Sequence, residues 1–222
     1  MRVDLWLWSL RSGMSSQEQD RALLSDDECV RADRFVKQSD RDDYTAGRAR
    51  LRRLLAAQTG QSAADLEFTY GPQGKPELAA GPAFNLSHSG GMAALAICDF
   101  GSVGIDIEAM RPVEEAVAHQ FFSARENRAL ATLTSDQWLA GFYRCWTRKE
   151  AVIKAVGQGL SMPLDSFDVT LLADDDPALT RIEGGSARDW QLRSLDIAPG
   201  FMGALAVPVI DTALDLNWCE RP

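Results

Sequence analysis

The chain has 222 residues, of which 45% are hydrophobic, so it contains enough apolar side chains for a folded core. Its formal net charge of -9 argues against nonspecific nucleic-acid binding, which needs a broad basic field. No apolar run approaches the roughly 20 residues that a membrane-spanning helix needs, which excludes a bilayer span.

The first predicted element is a strand over Val3–Leu10, where apolar and polar residues alternate. The N-terminal segment lacks the basic leader and small-residue cleavage site of an export signal. Helices are predicted next over Asp26–Val36 and Tyr44–Thr59, and Gly60 ends the second of them. Eight basic residues lie between Arg31 and Arg53, and a solvated helix face is the simplest interpretation of such a run.

The remaining elements alternate between strands and helices without a long linker. The segment FTYGPQGKPEL indicates a strand that enters a Gly/Pro turn, and AFNLSHSGGMAALAI indicates two strands around a polar turn. This order predicts an α+β fold. Further along the chain we expect a strand at Val103–Glu108, helices at Val113–Leu133 and Trp138–Val156, and strands near Phe167–Leu172, Trp190–Leu195 and Phe201–Val207.

The four cysteines, Cys29, Cys98, Cys145 and Cys219, are far apart and form no CxxC pair. This scatter favours reduced thiols over a disulfide framework or a zinc site. Together with the absence of an export signal, it predicts a cytoplasmic protein.

Two acidic residues, Asp106 and Glu108, are two positions apart in the stretch VGIDIEAM. Residues i and i+2 of a strand share a face, so both carboxylates are expected opposite Ile105 and Ile107. Like charges at this separation raise one pKa unless a cation lies between them. Carboxylates with phosphate oxygens and water are the usual ligands of Mg²⁺. The alternative is an exposed strand face with ordinary acids.

Glu150 is a third acidic candidate, in the predicted helix WLAGFYRCWTRKEAVIKAV. It lies one turn beyond Trp146 at the edge of an apolar stripe, and Lys154 lies one turn further on. A surface Glu150–Lys154 pair is one interpretation. The position of Lys149 and Glu150 beside a large apolar stripe favours the other, in which their charges have buried partners.

The polar turn FNLSHSGG contains Ser87, His88 and Ser89, followed by two glycines. Hydroxyls, an imidazole and open backbone N–H groups suit phosphate oxygens. A Ser/His nucleophile is disfavoured because no GxSxG elbow is present. A capped turn with an incidental histidine is the remaining alternative.

The order of these segments resembles the Sfp-type 4'-phosphopantetheinyl transferases from about Ser25 to Val207. The combination is specific, although each motif alone is weak. The matching segments are GKP at Gly74–Pro76, FNLSHSG at Phe84–Gly90, GIDIE at Gly104–Glu108, FFSARE at Phe121–Glu126, WTRKEAVIKAVGQGL at Trp146–Leu160 and PLDSF at Pro163–Phe167.

The resemblance implies a monomeric pseudodimer of two similar α+β halves, residues 1–100 and 101–222, with the active site in the cleft between them. It also implies transfer of 4'-phosphopantetheine from coenzyme A to a serine of an apo acyl- or peptidyl-carrier protein, with release of adenosine 3',5'-bisphosphate. A protein that binds the same partners without transfer is the alternative, and a different metal-dependent phosphate-ester enzyme is disfavoured by the acidic charge.

The resemblance also assigns roles to individual residues. It implies that Asp106, Glu108 and Glu150 bind Mg²⁺, which Mn²⁺ could replace, and that Lys154 neutralises the coenzyme A diphosphate. Glu150 is the expected base, acting directly or through a water. The residues expected at the coenzyme A site are Arg31, Arg48, Lys75, Pro76, Ser87 and His88.

Asp43 departs from the resemblance, because members of the family often have a basic residue just before the position of Tyr44. Arg41, Arg48 and Arg52 are therefore all candidates for the 3'-phosphate contact.

The segment Met110–Phe122 is the expected docking surface for the carrier protein.

Overall fold

The computed structural model describes residues 1–11, 16–209 and 212–221, and it confirms the α+β class. The helices are α1 (Gln17–Arg21), α2 (Asp26–Asp33), α3 (Gln38–Thr59), α4 (Glu115–Phe121), α5 (Ala124–Leu130) and α6 (Ser135–Val156). The strands are β1 (Arg2–Ser9), β2 (Phe68–Tyr70), β3 (Pro76–Leu78), β4 (Ala83–Ser89), β5 (Met92–Cys98), β6 (Gly104–Ala109), β7 (Phe167–Val169), β8 (Leu179–Ile182), β9 (Trp190–Leu195), β10 (Phe201–Pro208) and β11 (Asp215–Glu220).

The two larger sheets form the centre of the molecule and face each other. One has the strand order β11-β1-β5-β4, and the other has the order β6-β10-β9. Apolar side chains of β1 and β5 meet those of β6 and β10 between the sheets. Helix α3 covers the outer face of the first sheet, and α6 covers the outer face of the second. Each half therefore consists of a sheet with one long helix on its outer face.

The two long helices have clear termini in the sequence. Thr134 and Gln137 form a capping box at the start of α6, so backbone donors that the helix leaves free are satisfied. Gly60 ends α3 with φ 72°, and Gly157 ends α6 with φ 79°. Both glycines adopt the left-handed conformation that commonly closes a helix.

The single helix predicted over residues 113–133 is instead two short helices, α4 and α5. Ser123 starts the second one with a capping box to Glu126, and Phe122 leaves the helical conformation to allow it. The sequence analysis also missed α1, β8 and β11.

Strand β11 returns from the C-terminal end of the chain to pair in parallel with β1 in the first sheet. If the chain is divided between residues 100 and 101, the first sheet therefore contains β11 from the second half. The domain boundary itself stays a prediction. In the part of the chain that the structure describes, no helix has the length and apolar character to span a bilayer.

Candidate active site

The acids of β6 lie on the face of the strand that meets helix α6. Ile105 and Ile107 are fully buried between the two sheets, whereas Asp106 and Glu108 face the other way, as their spacing predicts. With Glu150 of α6 they line a cavity of about 310 Å³, which we call the acidic cavity. The structure therefore brings together the three carboxylates that the sequence analysis selected.

Gly104 explains how α6 comes so close to β6. A Cβ atom at this position would lie 2.0 Å from the carbonyl oxygen of Ala151 and 2.4 Å from the backbone nitrogen of Ala155. Only glycine allows this contact between backbones. The close approach places Glu150 and Lys154, one helical turn apart, on the wall of the acidic cavity.

Asp106 is the most buried of the three acids, with 3% of its surface exposed. Its Oδ1 accepts hydrogen bonds from Lys154 Nζ at 2.6 Å and from Ser87 Oγ at 3.0 Å. Its Oδ2 is buried and makes no hydrogen bond to the described residues. Burial raises the pKa of Asp106 to about 6, although the attraction of Lys154 opposes the shift.

Glu150 responds to the cavity in the same direction. Burial raises its pKa, Lys154 opposes this, and the negative charge of Glu108 adds to it. Glu108 is half-buried and accepts a hydrogen bond from Ser89 Oγ at 2.6 Å. Lys154 shares the acidic cavity with three acids, so a bound cation would offset the remaining negative charge.

This donor set fits a hard divalent cation. The free Oδ2 of Asp106 is a buried ligand atom without a partner among the described residues, and the other donors are carboxylate oxygens, which Mg²⁺ prefers. Across residues 1–11, 16–209 and 212–221, however, no three His, Cys, Asp or Glu side chains are arranged so that they could hold a metal ion by themselves. Mg²⁺ commonly completes its shell with substrate phosphates and water, so a partial set of protein ligands is sufficient.

A second cavity, of about 200 Å³, lies next to the acidic cavity and shares His88 with it. Arg31, Tyr44, Arg48 and Tyr70 also line this space, which we call the basic cavity. Arg31 is exposed, and its guanidinium carbon lies 5.7 Å from the centre of the Tyr44 ring. Loss of solvation inside the cavity lowers the pKa of His88, and the positive charge of Lys154 lowers it further.

Arg48 reaches the basic cavity but is already engaged in a buried network. Its Nε donates to Glu28, its Nη2 donates to Tyr70 Oη at 2.9 Å, and its guanidinium lies over Phe68. Its role at a phosphate stays a prediction.

Arg52 shares Glu28 with Arg48, at 2.7 Å, and donates to backbone carbonyl groups of residues 63–66. With 1% of its surface exposed, Arg52 is buried in the fold and does not line the basic cavity. Arg41 donates to the carbonyl oxygen of Phe35 and does not line the basic cavity, whereas Asp43 does.

Lys75, in the turn between β2 and β3, and Pro76, the first residue of β3, line a third cavity, of about 250 Å³, together with Glu150 and Lys154. Lys75 Nζ donates to the carbonyl oxygens of Val103 at 2.9 Å and Lys154 at 2.7 Å. Burial lowers its pKa. Lys75 thus ties the start of β6 to the end of α6, a contact that sequence reasoning did not foresee.

Sequence reasoning also missed the roles of Asn85 and Ser89. Both side chains of β4 accept hydrogen bonds from backbone N–H groups of β6, as Ser87 does. Their alternation, Asn85, Ser87 and Ser89, was the available signal, because polar residues at i, i+2 and i+4 of a strand line one side.

Two family models match the chain. One, described as the 4'-phosphopantetheinyl transferase superfamily, matches residues 102–209, and the other, described as 4'-phosphopantetheinyl transferase, N-terminal, matches residues 13–99. The relative HetI from Nostoc is 35% identical over 92% of this chain and 87% of its own length. Sfp from Bacillus subtilis is 31% identical over 92% of each chain. The chain therefore belongs to the 4'-phosphopantetheinyl transferase family.

Solved structures show a weaker likeness. The holo-[acyl-carrier-protein] synthase of Thermotoga maritima aligns with 49% of this chain and 62% of its own length, at 22% identity and a TM-score of 0.39. An ACPS-CoA complex, described as from Chronobacterium ammoniagenes, aligns with 47% of this chain and 93% of its own, at 21% identity and a TM-score of 0.35.

Proposed function

We propose that this 4'-phosphopantetheinyl transferase binds coenzyme A across the acidic and basic cavities and uses Mg²⁺ held by Asp106, Glu108 and Glu150. The observation that carries the proposal is the meeting of these three acids with Lys154 in one cavity, between β4, β6 and α6. The relatives HetI and Sfp match this chain over most of their length and are named 4'-phosphopantetheinyl transferases, which supports the activity. A binding protein without activity is disfavoured, because the full set of charged groups is present.

The reaction joins the carrier to phosphopantetheine by a new P–O bond. The serine hydroxyl oxygen of the carrier attacks the phosphorus next to the pantetheine, and the bond from this phosphorus to the bridging oxygen of the diphosphate breaks. Adenosine 3',5'-bisphosphate leaves. When bound, Mg²⁺ supplies positive charge that offsets the phosphate charge.

The protein's own residues position these groups and move one proton. Lys154, with its amino group beside Asp106, provides positive charge for the diphosphate. Glu150 takes the proton of the carrier serine, directly or through a water. His88 belongs to both cavities, so it is placed to contact phosphate in either one.

The carrier docks beside the acidic cavity in this proposal. Phe121 is 37% exposed and meets the edge of Trp146, which lines that cavity. Phe122, 4% exposed, belongs to the core, and Val113 packs against the same core. Phe121 is therefore the better anchor for an apolar contact. The chain acts as a cytoplasmic monomer in this proposal.

Intact-mass analysis tests the proposed function directly. The protein is incubated with coenzyme A, Mg²⁺ and a panel of apo acyl- and peptidyl-carrier proteins, and each carrier is weighed afterwards. Addition of one phosphopantetheine to a carrier is the expected result, and a chelator should prevent it. Mn²⁺ or Mg²⁺ added after the chelator should restore it. The absence of any modified carrier, also in a single-turnover experiment with excess enzyme, would favour the binding protein instead.

A further inference from the structure

Strands β4 and β6 each end their own sheet and lie side by side, but they do not pair by backbone hydrogen bonds. Side chains of β4 take the place of the missing strand partner. The N–H groups of Ile105, Ile107 and Ala109 donate to Asn85 Oδ1 at 2.8 Å, Ser87 Oγ at 3.2 Å and Ser89 Oγ at 3.1 Å, respectively. We call these three bonds the side-chain ladder.

The two serines of the ladder also contact the proposed metal ligands. A hydroxyl has one hydrogen to donate as well as lone pairs to accept. Ser87 gives its hydrogen to Asp106 Oδ1 at 3.0 Å, and Ser89 gives its hydrogen to Glu108 Oε2 at 2.6 Å. Each serine of β4 thus donates a hydrogen bond to one acid of β6 and accepts one from a backbone N–H group of β6.

We propose that Ser89 is a positioning residue for the metal site, and that the side-chain ladder lets the first half of the chain set the orientation of the acids on β6. The inference rests on the proposed magnesium-dependent transfer. The sequence analysis grouped Ser89 with the hydroxyls that suit phosphate, whereas in the structure its short bond to Glu108 is the contact that orients this carboxylate. Groups that hydrogen-bond to metal ligands commonly change metal affinity about 10- to 100-fold when they are removed.

The test compares the parent protein with variants by titration calorimetry of Mg²⁺ in saturating coenzyme A. Ser89→Ala should weaken Mg²⁺ binding about tenfold, and Ser89→Thr, which keeps the hydroxyl, should restore it. Ser166→Ala is the matched control, because it removes a hydroxyl that donates within its own turn, to the carbonyl oxygen of Pro163 at 2.6 Å. It should bind Mg²⁺ as the parent protein does.

Two further readings separate positioning from a general effect on the fold. The affinity of Ser89→Ala for coenzyme A with chelator present should match that of the parent. Its melting temperature without metal should fall modestly, because the N–H group of Ala109 loses its acceptor, and Ser89→Thr should recover it. In the transfer assay, high Mg²⁺ should recover most of the lost rate. Unchanged Mg²⁺ affinity in Ser89→Ala, or a loss of stability and coenzyme A affinity without a change for Mg²⁺, would overturn the positioning role.

The proposed function has its own control in the same experiment. Asp106→Asn should abolish Mg²⁺ binding. If the parent binds Mg²⁺ and Asp106→Asn does not, an unaffected Ser89→Ala contradicts only the role of the ladder. If the parent with coenzyme A binds no Mg²⁺, the magnesium site itself is wrong, and the role of Ser89 is refuted with it.

Discussion

The metal-free protein should be more stable without the charge of Asp106, and the structure gives the size of this effect. Burial raises the pKa of Asp106 from 3.8 to about 6, and this value already includes the attraction of Lys154. A shift of one pKa unit corresponds to about 1.4 kcal/mol, so ionised Asp106 lowers the free energy of unfolding by about 3 kcal/mol at pH 7.5. Asp106→Asn removes the charge and keeps the shape.

The sign of the pH dependence follows from the same shift. The folded protein binds the proton of Asp106 more tightly than the unfolded chain does, so this group adds stability as pH falls from about 6 to about 4. The advantage of Asp106→Asn should therefore be largest above pH 6 and should decrease to near zero at about pH 4. Urea denaturation with chelator, at several pH values, measures it.

Two controls make this result specific. Asp189→Asn, at an exposed position, should show no such pH-dependent gain. With coenzyme A already present, added Mg²⁺ should raise the unfolding free energy of the parent protein further and leave that of Asp106→Asn unchanged, because a ligand stabilises only the form it binds. A difference between parent and variant that does not change with pH, or a variant less stable than the parent at pH 7.5, would refute the reasoning.

Three further predictions test other parts of the molecule. Arg31→Ala should reduce the preference for coenzyme A over its 3'-dephospho form about tenfold or more, since a charge-assisted contact contributes about 1.5 to 3 kcal/mol. Arg48→Ala should reduce the same preference and in addition lower the melting temperature, because Glu28 loses a buried partner. Equal use of both donors by the parent enzyme would contradict this pocket. Phe121→Asp should raise the KM for the carrier several-fold and leave the KM for coenzyme A unchanged. The control Val36→Asp, at a site 98% exposed, should change neither KM. If both variants have similar effects, the carrier docks elsewhere. Gly104→Ala should cost about 1 to 3 kcal/mol of stability or more, since its Cβ overlaps the backbone of α6, and an unchanged urea midpoint would contradict the close contact.

Local patterns in the sequence single out the acidic residues, and the family resemblance joins them into one site. Alternation along β6 and the helical spacing of Glu150 and Lys154 are local patterns, so they can be seen without a three-dimensional structure. The contact between β6 and α6 depends on Gly104, which leaves room for the backbone of α6. The sequence alone does not show which element packs against this glycine.

The basic part of the site was harder to predict, because arginine residues have two common uses. Arg31 and Arg48 are separated by 17 positions and look alike in the sequence, yet one is exposed and the other is held by buried Glu28. Which arginine has a buried acidic partner depends on how α2 packs on α3, a contact between elements that local patterns do not contain. The same limit applies to Lys75, whose two acceptors lie far along the chain.

The net charge of the chain says little about the ligands it binds, because the charges at the site are local. The protein is acidic as a whole, and its proposed ligands carry phosphate groups and, in the carrier, further acids. At 0.15 M salt, charges separated by more than about 8 Å are largely screened, so distant surface acids have a small effect inside the cavities. There, Lys154, His88, Arg31 and Arg48 are the nearby basic groups, and a bound cation would offset the three acids. The affinity for coenzyme A should therefore depend much more on Mg²⁺ than on the charge of the remaining surface.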